Sequence, residues 1–159
     1  LGPSDEFRVS FEIDFDCSVI AQQSYTAHVT ERSFKEELGG ARTFGFLKDV
    51  EVMRQNGFGR GGTLENAVIV DGDTVLNRGG LRFVDEFVRH KVLDLIGDLY
   101  LVGSPILAEV SCFHSGHSLT HRLLKVLLAD PEAWRLESTP VPGRAVRGAH
   151  MPVPVVATA

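Results

Sequence analysis

The stretch Phe87-Val88-Arg89-His90-Lys91-Val92-Leu93-Asp94-Leu95-Ile96-Gly97-Asp98-Leu99-Tyr100 decides how this chain is read. With about 100° between successive helical residues, Val88, Val92, Leu95, Ile96 and Leu99 gather on one side. His90, Asp94 and Asp98 fall within an arc of about 80° on the other. One stripe packs, and the opposite stripe presents an imidazole and two carboxylates. Side chains four apart on a helix point the same way, which is how a His-Glu-x-x-His helix brings two ligands to one metal ion. His90 and Asp94 have that spacing. It equally describes a solvated face with an ion pair worth a few tenths of a kcal/mol, so the pair needs other parts before it implies chemistry.

Outward from this helix, Gly103-Ser104-Pro105 ends it and residues 106–113 read as a strand. Residues 119–129 form a second amphipathic helix, with Ser115 or Ser118 as its cap. His117 lies at this junction, in His114-Ser115-Gly116-His117-Ser118. Such junctions set side chains at the mouth of a fold, although a polar neighbour of a helix cap fits the position too.

Towards the N-terminus, Phe7, Val9, Phe11, Ile13 and Phe15 alternate with Arg8, Ser10, Glu12 and Asp14 in a half-buried strand. Residues 24–29 supply an antiparallel partner, with His28 on the solvated side. Ser33-Phe34-Lys35-Glu36 has capping-box spacing and Gly39-Gly40 a stop, so a short helix lies between. The chain then turns through Ala41-Arg42-Thr43-Phe44-Gly45-Phe46.

Residues 47–56 have helical spacing, Gly57-Phe58-Gly59-Arg60-Gly61-Gly62 is a glycine-rich loop, and Asp71-Gly72 turns a hairpin between residues 67–70 and 75–77. Residues 47–77 thus read as a helix-and-hairpin insertion with more apolar surface than it can bury alone, so it should line something. Its loop invites a phosphate-binding reading, but no Gly-Lys-Ser/Thr follows and the preceding segment is helical. Residues 1–136 form one domain, and 137–159, rich in Pro, Val and Ala, an extended or disordered tail.

Composition narrows the classes further. A chain of 159 residues with 43% hydrophobic and 23% charged residues can bury a core as a single domain. A net charge of −5 without a Lys/Arg stripe excludes nucleic acid as a partner. No apolar run approaches the ~20 residues of a transmembrane segment, and no signal-peptide pattern is present, so a cytoplasmic location is expected. Cys17 and Cys112 form no Cys-x-x-Cys pair and read as small buried hydrophobes. A metal here must rest on imidazole and carboxylate, which suits Zn²⁺ or another divalent transition ion.

In order and spacing, Ala41 to Phe46, the Gly57 to Gly62 loop, Val88-Arg89-His90-Lys91 with Asp94, Ile96-Gly97-Asp98, and Ser115-Gly116-His117-Ser118 resemble one family. It is the zinc-dependent UDP-3-O-acyl-N-acetylglucosamine deacetylase of bacterial lipid A synthesis. The resemblance covers residues 7 to about 134 and corresponds to the C-terminal half of a two-domain enzyme. It implies a two-layer α+β sandwich, a mostly antiparallel sheet packed against two helices. It implies that His90 and Asp94 are zinc ligands, and that His117 stabilises the oxyanion and protonates the departing amine. Asp98 would hold His117 and favour its cationic form, and Thr43 would help polarise the substrate amide. Lys91 is similar to a lysine that contacts the nucleotide-sugar. Phe44, Leu47, Val50, Gly62, Thr63 and Ile69 complete the substrate-binding set, with the last five lining the acyl-chain passage.

A catalytic zinc normally has three protein ligands. The family's third, a histidine beside the glutamate general base, belongs to the N-terminal domain, and no Glu-His segment occurs here. His114 is the only conceivable local substitute. The chain is therefore expected to need that N-terminal domain as its partner and to be inactive without it. The alternative is a non-catalytic metal- or lipid-binding module.

Overall fold

Strand β2 (Phe7–Asp14) follows directly from its alternation, with Val9, Phe11 and Ile13 buried and Asp14 exposed. The structure is a computed structural model that describes residues 1–137 and the strand at 155–157. Strand β3 (Gln22–His28) runs antiparallel to β2, with Phe11 opposite Tyr25 and Val9 opposite Ala27. On the other edge, β7 (Ile106–Phe113) lies parallel, with Val9 opposite Val110. The far edge of β7 is shared by β1 (Gly2–Pro3), antiparallel, and β9 (Val155–Ala157), parallel. Strand β8 (Trp134–Leu136) pairs antiparallel with β9. Residues 138–154 and 158–159 lie outside the described residues, so the expectation of a tail falls largely there.

Helix α3 (Glu86–Leu99) crosses β2 and β3, and α4 (His117–Ala129) lies alongside it, which gives the two-layer α+β sandwich that the family resemblance implies. Phe87, Val88, Val92, Leu95, Ile96 and Leu99 are all buried on α3. Each contributes about 1.5–3 kcal/mol relative to exposure, so this face fixes the helix's rotation. His90, Asp94 and Asp98 are thereby held at the margin between core and solvent.

The insertion builds its own sheet. Strand β4 (Thr43–Phe46) leads into α2 (Leu47–Gln55), and β5 (Ala67–Asp71) returns parallel to β4 before turning at Gly72, φ 56°, into β6 (Thr74–Val75). Phe44 ties this sheet to the main core, edge-on to Phe87 at 5.0 Å and to Phe15 at 5.8 Å. Buried Asn77 pins the hairpin by accepting from Ile69 N and donating to the carbonyls of Leu64 and Ala67. Helix α2 buries none of its residues, and Val52, Met53, Phe58 and Leu64 remain exposed. Apolar surface in excess of what the insertion covers is thus present as expected.

Two expected caps are corrected. The first helix is capped by Thr30 and Ser33: Ser33 N donates to Thr30 Oγ1 at 3.1 Å and Thr30 N to Ser33 Oγ at 2.9 Å. Helix α1 (Glu31–Ser33) therefore starts before the Ser33-to-Glu36 box and runs on as a π-helical turn, Phe34–Leu38. Helix α4 begins at His117 rather than residue 119, with extended Gly116 at the cap and no side-chain cap. Ser115 is buried and caps nothing.

Candidate metal and catalytic site

The site lies where the polar edge of α3 meets the first turns of α4. His90 directs Nδ1–H at the carbonyl of Ala41, 3.1 Å away, which turns Nε2 towards Asp94 Oδ1 at 3.2 Å. The donor sets fit a small divalent ion. Two ligands about 2.0–2.1 Å from a tetrahedral zinc stand about 3.3 Å apart, and a backbone carbonyl on the other ring nitrogen is the usual orienting partner of a metal-bound histidine. His90 Nε2 can carry a proton or a metal, not both. Among the described residues no group of three or more His, Cys, Asp or Glu could hold a metal. His114 does not join the pair: it sits at φ 48° against the Phe113 ring, and its N–H donates to the carbonyl of Glu12.

Burial pushes the Asp94 carboxyl up, but the hydrogen bond from His90 and the charges of His90, Lys91 and His117 outweigh it and hold the group below the ordinary carboxylate range. The Lys91 ammonium is 3.4 Å from Asp94 Oδ2, so a residue 100° round the helix still reaches the rim of the site. His117, the first residue of α4, places Nδ1 2.8 Å from Asp98 Oδ2 and leaves Nε2 facing Asp94 Oδ2 at 3.9 Å. Asp98 is almost enclosed, with 12% of its side chain exposed, and holds the imidazole in the Nδ1–H tautomer.

Thr43 starts β4 at the surface, just past the Ala41 carbonyl that orients His90. Phe44 lies edge-on to the His90 ring with centroids 6.5 Å apart. Leu47 and Val50 are half-buried on α2 and Ile69 half-buried on β5. Gly62 and Thr63 are exposed in the loop between them. Here backbone shape accounts for the glycines: Gly57 and Gly59 have φ of 82° and 63°, and a Cβ on Gly62 would come within 3.3 Å of the Gly59 carbonyl.

Two supporting groups were not legible in the sequence. Glu86, with no exposed side-chain surface, accepts from Arg42 N, Nε and Nη2 and from Arg82 N, at 2.9, 2.8, 3.0 and 2.6 Å. This clamps the residues leading into Thr43 onto the first turn of α3. In the sequence Glu86 reads as an ordinary first-turn acid favoured by the helix dipole. His121 places Nε2 3.2 Å from Asp98 Oδ1. Its four-residue spacing from His117 was the available signal.

No helix among the described residues is long and apolar enough to cross a membrane. A family model described as UDP-3-O-acyl N-acetylglycosamine deacetylase matches residues 1–129. The chain is 49% identical over 140 residues to the UDP-3-O-acyl-N-acetylglucosamine deacetylase of Chromobacterium violaceum, spanning 87% of this chain and 46% of the relative. It is 47% identical to the enzyme of the same name from Myxococcus xanthus, over 86% of this chain and 43% of that one. With the Pseudomonas entomophila protein of that name it shares 49% identity over 84% of this chain and 45% of the relative. The chain therefore spans just under half the length of the curated relatives it matches, and it belongs to the UDP-3-O-acyl N-acetylglycosamine deacetylase family.

Proposed function

We propose that this chain carries the larger share of the reaction centre of a zinc-dependent deacetylase that removes the acetyl group from UDP-3-O-acyl-N-acetylglucosamine in bacterial lipid A synthesis, in the cytoplasm. The carrying observation is the convergence of His90 Nε2, Asp94 and His117 Nε2 on one side of the α3–α4 junction. His90 and Asp94 would hold the zinc. The third ligand and the general base come from the part of the relatives' length that this chain does not span.

When bound, zinc supplies Lewis-acid polarisation of the acetamide carbonyl and an activated water. This chain's own residues serve the oxyanion, the departing amine and the bound substrate. Thr43 donates to the developing oxyanion. His117 holds Nδ1–H on Asp98 and delivers the Nε2 proton to the amine as the C–N bond breaks, leaving free amine and acetate. Lys91 faces the anionic nucleotide-sugar. Phe44 contacts the substrate, and Leu47, Val50, Gly62, Thr63 and Ile69 line the acyl chain's path, which gives the exposed apolar surface of α2 its occupant.

The test is acetate release from UDP-3-O-acyl-N-acetylglucosamine by the complete protein containing this chain, with zinc supplied. Release that stops on zinc removal and returns on its restoration is expected. Folded, zinc-loaded protein without release would instead favour the non-catalytic binding module.

A further inference from the structure

We propose that His121 is a positioning residue, which aims Asp98 and through it fixes the tautomer of His117; this rests on the role given to His117 above. An aspartate carboxylate turns easily about the bond that carries it. Its terminal torsion is broad and two-fold, so a single hydrogen bond leaves the group free to rock about it. A carboxylate is nevertheless a rigid plane, and anchoring one oxygen orients the other.

Asp98 is anchored at both. Oδ2 accepts from His117 Nδ1 at 2.8 Å, and Oδ1 meets His121 Nε2 at 3.2 Å. The two histidines are one turn apart on the same face of α4, with ring centroids 6.3 Å apart. Asp98 sits between them from α3 and is 12% exposed, whereas His121 is 47% exposed. His121 is thus the solvent-side end of an alternating row: His90, Asp94, His117, Asp98, His121. Without it, one oxygen of Asp98 loses its partner and the other is no longer held on His117.

The consequence is chemical rather than structural. When His117 gives its Nε2 proton to the departing amine, the ring left behind is the neutral Nδ1–H tautomer, whereas a neutral imidazole in water prefers Nε2–H; Asp98 favours the form that the transfer leaves by holding the proton at Nδ1. The loss of His121 relaxes that preference. His121→Gln keeps an N–H donor close to the position of Nε2 and cannot titrate, so it separates the hydrogen bond from the imidazole's charge.

The experiment reads the imidazole nitrogens of the 159-residue chain by NMR above the ordinary histidine titration range, where no substrate or other domain is needed. In the parent and in His121→Gln, His117 is expected to be the Nδ1–H tautomer; in His121→Ala it becomes a mixture with Nε2–H. In the complete deacetylase, His121→Ala should lower kcat about tenfold or more, the scale at which outer-shell partners act. KM and zinc content should be unchanged, and His121→Gln should recover most of the rate. Unchanged His117 tautomers in all three proteins would overturn the inference, as would a kcat for His121→Ala equal to the parent's. If the complete protein releases no acetate, the deacetylase reading fails while the tautomer comparison still decides whether His121 aims Asp98.

Discussion

Replacing Glu86 with Ala removes the most enclosed carboxylate among the described residues and tests the clamp beneath the site. Four hydrogen bonds end on it, and its main partner, the Arg42 guanidinium, is itself only 9% exposed. After substitution Arg42 keeps the Gly80 carbonyl but no counter-charge. Breaking a buried pair from one side costs about 3–5 kcal/mol. For a chain of this size each kcal/mol lowers Tm by about 2–4 °C, so a fall of roughly 6–20 °C is expected. Circular dichroism during heating and urea titration measures it.

The pH dependence has a definite sign. Burial pushes the Glu86 carboxyl up, but the hydrogen bonds from Arg42 and Arg82 and the charge of Arg42 outweigh it, so its pKa is lowered. A depressed carboxylate contributes stability that is complete above its unfolded value of about 4.3 and is lost as pH falls through the folded value. The parent should therefore lose more stability than Glu86→Gln on acidification below about pH 4.3. A Glu86→Ala cost under about 1 kcal/mol, the value of an exposed pair, would refute the clamp.

Periodicity made the main framework legible. β2 and α3 follow from alternation and helical spacing, because each buries one stripe and wets the other. The pairing of β4 with β5 was not legible: a parallel ladder leaves no local cue, and the partner strand lies beyond α2 and the glycine-rich loop. The start of α4 was misplaced because Ser115 and Ser118 have the residue type of a cap, while the cap is Gly116. At the site, the spacing of His90 and Asp94 is visible along one helix. The union of His117 and His121 with Asp98 depends on how two helices cross, and single-helix periodicity does not carry that. The burial of Glu86 depends likewise on Arg42, far away in sequence.

In the complete enzyme, His117→Ala should lower turnover by about 10² to 10⁴, the range of a general acid, while metal analysis finds zinc unchanged; zinc loss would mark His117 as a ligand. Asn77→Ala strips the hairpin of three hydrogen bonds. It should cost about 1–3 kcal/mol and speed amide exchange at Ile69; a protected Ile69 amide would show that the strands hold without it.

The central claim is that one face of α3 supplies two zinc ligands, and zinc content tests it most directly. Metal analysis should find stoichiometric zinc in the complete parent protein and in His117→Ala, and none in His90→Ala. Stoichiometric zinc retained by His90→Ala would contradict the assignment and return His90 and Asp94 to an ion pair on a helix.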